Sequence, residues 1–180
     1  MTARLTLPKN EDLPREVAKR LDDLPAIDVY RMISNAPSCL IPWTDMVKGL
    51  YESKVAIRYR EIAILRQGFI AKSEYELHQH RFIAKSNGIT DEEIAIICAN
   101  KKVTELADIE NVICDMAEQL ESTAQLSDET AEALKSHFSE QEVAELILLT
   151  SFYCCVARVL NATKVEIESD NPLKDQGSPN

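Results

Sequence analysis

Residues 57–94 read IRYREIAILRQGFIAKSEYELHQHRFIAKSNGITDEEI, and the punctuation of this stretch decides the fold class. From Ile57 to Lys72 the residues are largely apolar, and their spacing predicts one long helix. Ser73 to Ser86 continues that helix or follows it after a kink, and Asn87-Gly88 supplies a C-terminal stop. Thr90 with Glu93 forms a capping box that opens a further helix to Ala99.

The same signals extend in both directions. Upstream, Pro14 serves as a first-turn residue for a helix over Arg15 to Asp22, which Pro25 closes. Short helices follow over Ile27 to Asn35 and Trp43 to Ser53. Downstream, Val103 to Leu120 is amphipathic, and Ser127 caps a helix through Phe138. Ser139 with Glu142 is a second capping box, opening a long helix to Leu160. The expectation is an all-α bundle of about eight or nine helices in a single domain. Residues 1–12 read as a flexible N-terminal arm, 13–168 as the helical domain and 169–180 as a flexible tail.

Composition agrees and excludes several functions. Only 4 of 180 residues are glycine, far below the usual ~7%, which disfavours hairpins and phosphate-cradling loops. A chain of this length buries roughly 70% of its unfolded surface, so no disulfide or metal staple is required. The net charge is -10, and no window supplies the basic footprint that nucleic acid or an anionic membrane needs. The start lacks the apolar core of a signal peptide, and Leu146 to Leu160 reads as too short and too polar to span a bilayer. Five cysteines without framework spacing point to a reducing compartment, hence a cytoplasmic location, and to thiols that fill the core.

Two features carry chemistry. Glu61 lies on the same helical stripe as Ile57, Ile64, Leu65 and Gly68, where a carboxylate is costly to bury unless paired or protonated. One reading pairs it with Arg58, Arg60 or Arg66; the other makes it a proton-transfer group. In the run from Ser73 to His80, Glu76 and His80 are spaced i,i+4 and share a face, so Glu76 can hold the imidazole in one tautomer. His78 points elsewhere and reads as a surface residue. Glu76 and His80 are also a possible ligand pair. A di-metal bundle needs matching Glu-x-x-His pairs, the only other histidine is His137, and no metal is expected.

The stretch Arg60 to Arg66, then Ser73-Glu74-Tyr75-Glu76 and Gln79-His80, resembles the carboxymuconolactone decarboxylase-like superfamily, which includes the AhpD-type alkylhydroperoxidases. Ala84, then Asn87 to Ile94, looks like its next segment, and Glu142 to Leu146 and Ala157 to Ala162 extend the similarity. In the peroxidase branch the pattern is Glu, then CxxC, then His. Its Glu falls on Glu61 and its His on His80, while the two cysteines fall on Ser73 and Glu76. Serine and carboxylate cannot run a thiol–disulfide cycle. The decarboxylase branch resembles this chain in having Glu and His where Glu76 and His80 stand.

What the resemblance implies is a cofactor-free acid–base lyase, a decarboxylase or isomerase acting on a small cyclic or unsaturated carboxylic acid. In that expectation His80 moves the proton, Glu76 orients it, and Glu61 is a second carboxyl with a raised pKa. Ser73 and Tyr75 are candidate hydroxyl donors to the substrate, and Arg66 a candidate for its carboxylate. An antioxidant hydroperoxide reductase with peroxiredoxin-like activity, recruiting Cys39, and a non-catalytic binding or sensor protein are the alternatives. A small-molecule substrate and a homo-oligomer (dimer, trimer or hexamer) are the partners implied.

Overall fold

The computed structural model describes residues 3–168. Among them are nine α-helices and no strand. They are α1 (Arg15–Asp22), α2 (Asp28–Ile33), α3 (Pro37–Tyr51), α4 (Ile57–Ile70), α5 (Glu74–Ser86), α6 (Asp91–Ile97), α7 (Asp108–Thr123), α8 (Asp128–His137) and α9 (Glu140–Thr163).

Helix α4 is the axis of the bundle. Ile62, Ala63, Ile64 and Leu65 are fully buried, so this helix has no solvent face along its middle. One side packs with Ile113, Met116, Leu134 and Leu146 of α7, α8 and α9. The other packs Ile64 with Leu40, Leu149, Tyr153 and Leu160, together with α1 and α2. A fully buried Ile or Leu contributes roughly 1.5–3 kcal/mol, so α4 links two cores that neither side completes alone.

The caps fall where local chemistry puts them. Thr90 Oγ1 accepts from Glu93 N while Glu93 accepts from Thr90 N, and Ser139 with Glu142 makes the same reciprocal pair. Between α4 and α5 the chain turns rather than kinks: Lys72 takes a left-handed φ of 54°, and Ser73 N donates to Gly68 O. That turn folds α5 back along α4 as an antiparallel hairpin.

Three expectations need correction. Helix α3 starts at Pro37, not Trp43, because Pro37 occupies a first-turn position that needs no N–H, and the helix also tolerates Pro42 inside it. Helix α9 passes the length and hydropathy requirement for crossing a membrane, contrary to the reading of Leu146 to Leu160; half of its apolar window is buried in the bundle, which accounts for its composition. Cys39 and Cys155 are exposed rather than core-filling, while Cys114 and Cys154 are buried. The N-terminal arm makes hydrogen bonds to the body: Arg4 N donates to Thr163 O, and Arg31 donates to Pro8 O and to Asn10. The expected flexible tail, 169–180, lies outside the described residues.

Candidate active site

The hairpin sets the site. Because α5 runs back along α4, His80 faces Glu61 nineteen positions earlier, and His80 Nδ1 lies 2.9 Å from Glu61 Oε2. Glu61 is fully buried and His80 nearly so. A carboxylate at Nδ1 holds the proton on that nitrogen and leaves Nε2 as the basic position. Among the described residues no arginine pairs with Glu61. Arg58 bonds Glu93 and Glu110, Arg60 bonds the carbonyls of Leu50 and Tyr51, and Arg66 turns to α6 and α7.

Glu76 therefore does not orient His80. Two residues on one helical face one turn apart both project toward the same neighbour, and α4 supplies the nearer partner. Glu76 is itself 2% exposed, and neither of its carboxyl oxygens has a hydrogen-bond partner. Burial pushes its pKa well above the ordinary range, with the charges of Glu121 and Glu61 adding to the effect. Its carboxyl packs against Gly68 so closely that a Cβ at residue 68 would stand 2.7 Å from Glu76 Oε1.

Glu76 and His80 line one cavity of about 100 Å³ between α2, α3, α5 and α9. Its walls are apolar and aromatic, with Ile27, Trp43, Phe152 and Leu160 among them. Its polar end adds three residues that sequence reasoning missed. Tyr51 and Tyr153 hydrogen-bond to each other through their hydroxyls at 2.9 Å, and the Tyr153 ring meets the His80 ring edge-on at 4.9 Å. Burial raises both phenols, so both keep their protons at neutral pH. Gln79 also lines the cavity; its Nε2 donates to Glu168 at 2.8 Å, while its Oε1 is buried without a partner. A buried tyrosine hydroxyl needs a partner, but nothing local indicated that these two, 102 positions apart, serve each other.

The other expected site residues do not line this cavity. Ser73 is buried at the start of α5, with its hydroxyl unpartnered. Tyr75 accepts from Val29 N and donates to Glu168, tying α5 to α2 and to the end of the described chain. Arg66 is 2% exposed and donates to the carbonyls of Ile97, Ala99 and Lys101 and to Glu118. His78 is half-buried against Phe82 rather than on the surface. Cys39 is exposed on α3 and does not line the cavity. Among the described residues no group of three or more His, Cys, Asp or Glu could hold a metal ion.

No protein-family model matches the chain, and no curated protein matches it. Solved structures do match. A protein from Ralstonia eutropha JMP134, described as an alkylhydroperoxidase AhpD core and an uncharacterized peroxidase-related protein, aligns over 95% of both chains with a TM-score of 0.81 at 15% identity. An uncharacterized peroxidase-related protein from Silicibacter sp. TM1040 covers 94% of both with a TM-score of 0.80 at 22% identity. A protein of unknown function from Agrobacterium tumefaciens covers 77% of this chain and 96% of its own, with a TM-score of 0.68 at 14% identity. The chain has the AhpD-like fold.

Proposed function

We propose that this protein is a cofactor-free acid–base catalyst of the lyase or isomerase type, working in the cavity between α5 and α9. The observation that carries the reading is the Glu61–His80 contact at 2.9 Å beside a cavity that Glu76 also lines. Glu61 fixes the imidazole so that Nε2 receives a proton from the substrate. Glu76, kept neutral by burial, holds a proton it can return. The Tyr51–Tyr153 hydroxyl pair supplies a hydrogen bond for charge that develops on the substrate. Decarboxylation and double-bond migration both need this proton movement, and decarboxylation of a small unsaturated acid is the narrower form of the proposal. Among the described residues no Lys or Arg lines the cavity, and Arg66 is committed to backbone carbonyls, so such an acid would enter with its carboxyl protonated or sharing a proton with Glu76.

A hydroperoxide-reductase reading draws on the description of the Ralstonia protein, but the positions expected for its two thiols hold Ser73 and Glu76. The test is proton exchange. Small unsaturated acids and lactones are incubated with the protein in heavy water and followed by proton NMR. Deuterium incorporation or loss of CO2 is expected, slower in His80→Gln by ~10²–10⁴-fold. Exchange unchanged in His80→Gln overturns the assignment.

A further inference from the structure

Among the described residues, the polar end of the cavity is short of positive charge and carries unpartnered acceptors. Glu76 offers two oxygens without partners, and it is 2% exposed. Gln79, 4% exposed, has its amide nitrogen committed to Glu168, so its free end is the carbonyl oxygen. That makes three buried acceptors on two adjacent turns of α5. Behind them, Glu61 Oε1 is also unpartnered.

The charge count points the same way. Glu61 holds the imidazole from behind, Glu76 lines the cavity without a cationic partner, and among the described residues no Lys or Arg lines it. Arg60 is held behind Tyr51, its guanidinium carbon 5.1 Å from the ring centre and its nitrogens on the carbonyls of Leu50 and Tyr51. Arg158 pairs with Glu121 and with Cys154 O. Neither is free to neutralise Glu76. The walls include Trp43, Tyr51, Phe152 and Tyr153, whose rings suit a cation at one end and an apolar body at the other.

We propose that this cavity receives a small primary ammonium ion carrying an apolar body, with the ammonium on Glu76 and Gln79. An ammonium group has three donors, matching the two oxygens of Glu76 and the one of Gln79. An ionised carboxylate would find no cation among the described lining residues. An alcohol supplies one donor and no charge. A quaternary ammonium supplies charge and no donor. Entry of the cation favours ionised Glu76, so the carboxyl gives up its proton to solvent as the ligand binds. The inference rests on reading Glu76 and His80 as the working end of this cavity, but not on turnover.

Calorimetric titration with benzylammonium, propylammonium, benzyl alcohol and benzoate at pH 7 tests it. One of the ammonium ions should bind at least tenfold more tightly than the alcohol and the benzoate. Its binding should release protons, seen as a dependence of the heat on the buffer's ionisation enthalpy. Glu76→Gln, checked for folding by near-UV circular dichroism, should erase the preference. If that variant does not fold, the ranking and the proton release in the unaltered protein decide. Binding of neither ammonium, a ranking led by benzoate or benzyl alcohol, or a preference that survives in folded Glu76→Gln overturns the proposal. A charge preference without any catalysed exchange leaves this inference standing and removes the acid–base function; exchange without the preference does the reverse.

Discussion

Glu61 on α4 and His80 on α5 meet at 2.9 Å because a left-handed residue, Lys72, folds one helix back on the other. The contact makes the two side chains one functional unit. In the proposed acid–base reaction Glu61 would act on the substrate only through His80, as a positioning residue, and its loss should then not add to the loss of His80.

In exchange or turnover assays, Glu61→Gln is expected to slow the reaction with the affinity for ligand largely kept. The double variant Glu61→Gln, His80→Gln is expected to be no slower than His80→Gln alone. Independent, multiplicative losses would mean that Glu61 has a separate role.

Glu76 makes stability depend on pH in a definite direction. Its folded-state pKa lies above the ordinary glutamate value, with burial the chief cause. The folded chain therefore holds this proton to higher pH than the unfolded chain does. The neutral carboxyl is fully tolerated below about pH 4.3, and stability is lost as pH rises from there toward the folded-state pKa. Glu76→Gln removes the ionisation, so its melting temperature should match the parent near pH 4 and exceed it at pH 8. A domain of this size shifts roughly 2–4 °C per kcal/mol, well within calorimetric reach. A variant less stable at pH 8 than at pH 4, relative to the parent, contradicts the assignment.

Gly68 shares its space with the Glu76 carboxyl. Gly68→Ala gains up to ~1 kcal/mol of helix propensity inside α4. The new Cβ would stand 2.7 Å from Glu76 Oε1, and the carboxyl at the end of that side chain has to move. The expected result is a fold whose stability changes by less than about 1 kcal/mol and a cavity whose ligand affinity falls about tenfold, read by denaturation and calorimetry together.

The thiols separate by environment. Cys39 and Cys155 are exposed, whereas burial pushes Cys114 and Cys154 up to about 12, helped at Cys154 by its hydrogen bond to Glu121. Burial also raises Cys98. Titration of the native protein with a disulfide reagent at pH 7.5 (about one unit below an ordinary thiol pKa) should find fast reaction at Cys39 and Cys155 only. Peroxide consumption that depends on Cys39 would favour the reductase reading; thiol reactivity without it counts against that reading.

Local chemistry was legible and long-range pairing was not. The starts of α6 and α9 follow from Thr90-x-x-Glu93 and Ser139-x-x-Glu142, whose donors and acceptors sit within one turn. Helix α3 extends upstream of Trp43, since a proline at 37 needs no N–H in the first turn and one at 42 forgoes the bond to Ser38 O. Helix α7 begins at Asp108 rather than Val103, since the apolar Val103 is buried from the connector, outside the helix. At the site, Glu61, Glu76 and His80 stood out as polar residues in apolar surroundings. Which carboxylate held the imidazole depended on the α4–α5 turn, and helical spacing alone chose the wrong one. Tyr51 and Tyr153 gave no local signal at all.

Arg66 decides between a structural and a substrate-binding role most sharply. Its guanidinium gathers the carbonyls of Ile97 and Ala99 at 2.8 Å and of Lys101 at 3.0 Å, and reaches Glu118 on α7 at 2.6 Å. Those carbonyls close the end of α6, and the Arg66 side chain that gathers them is 2% exposed. Arg66→Met orphans three acceptors at ~1–3 kcal/mol each, and relaxation of the loop should bring the total to about 3–5 kcal/mol. Arg66→Lys keeps the charge but lacks the planar fork that spans four partners, so it recovers only part of the loss. Urea denaturation of the three proteins should rank them Arg, Lys, Met, and the folded Arg66→Lys protein should bind cavity ligands with unchanged affinity. Full stability in Arg66→Lys with lost ligand binding would return Arg66 to the site and displace the assignment made from its hydrogen bonds.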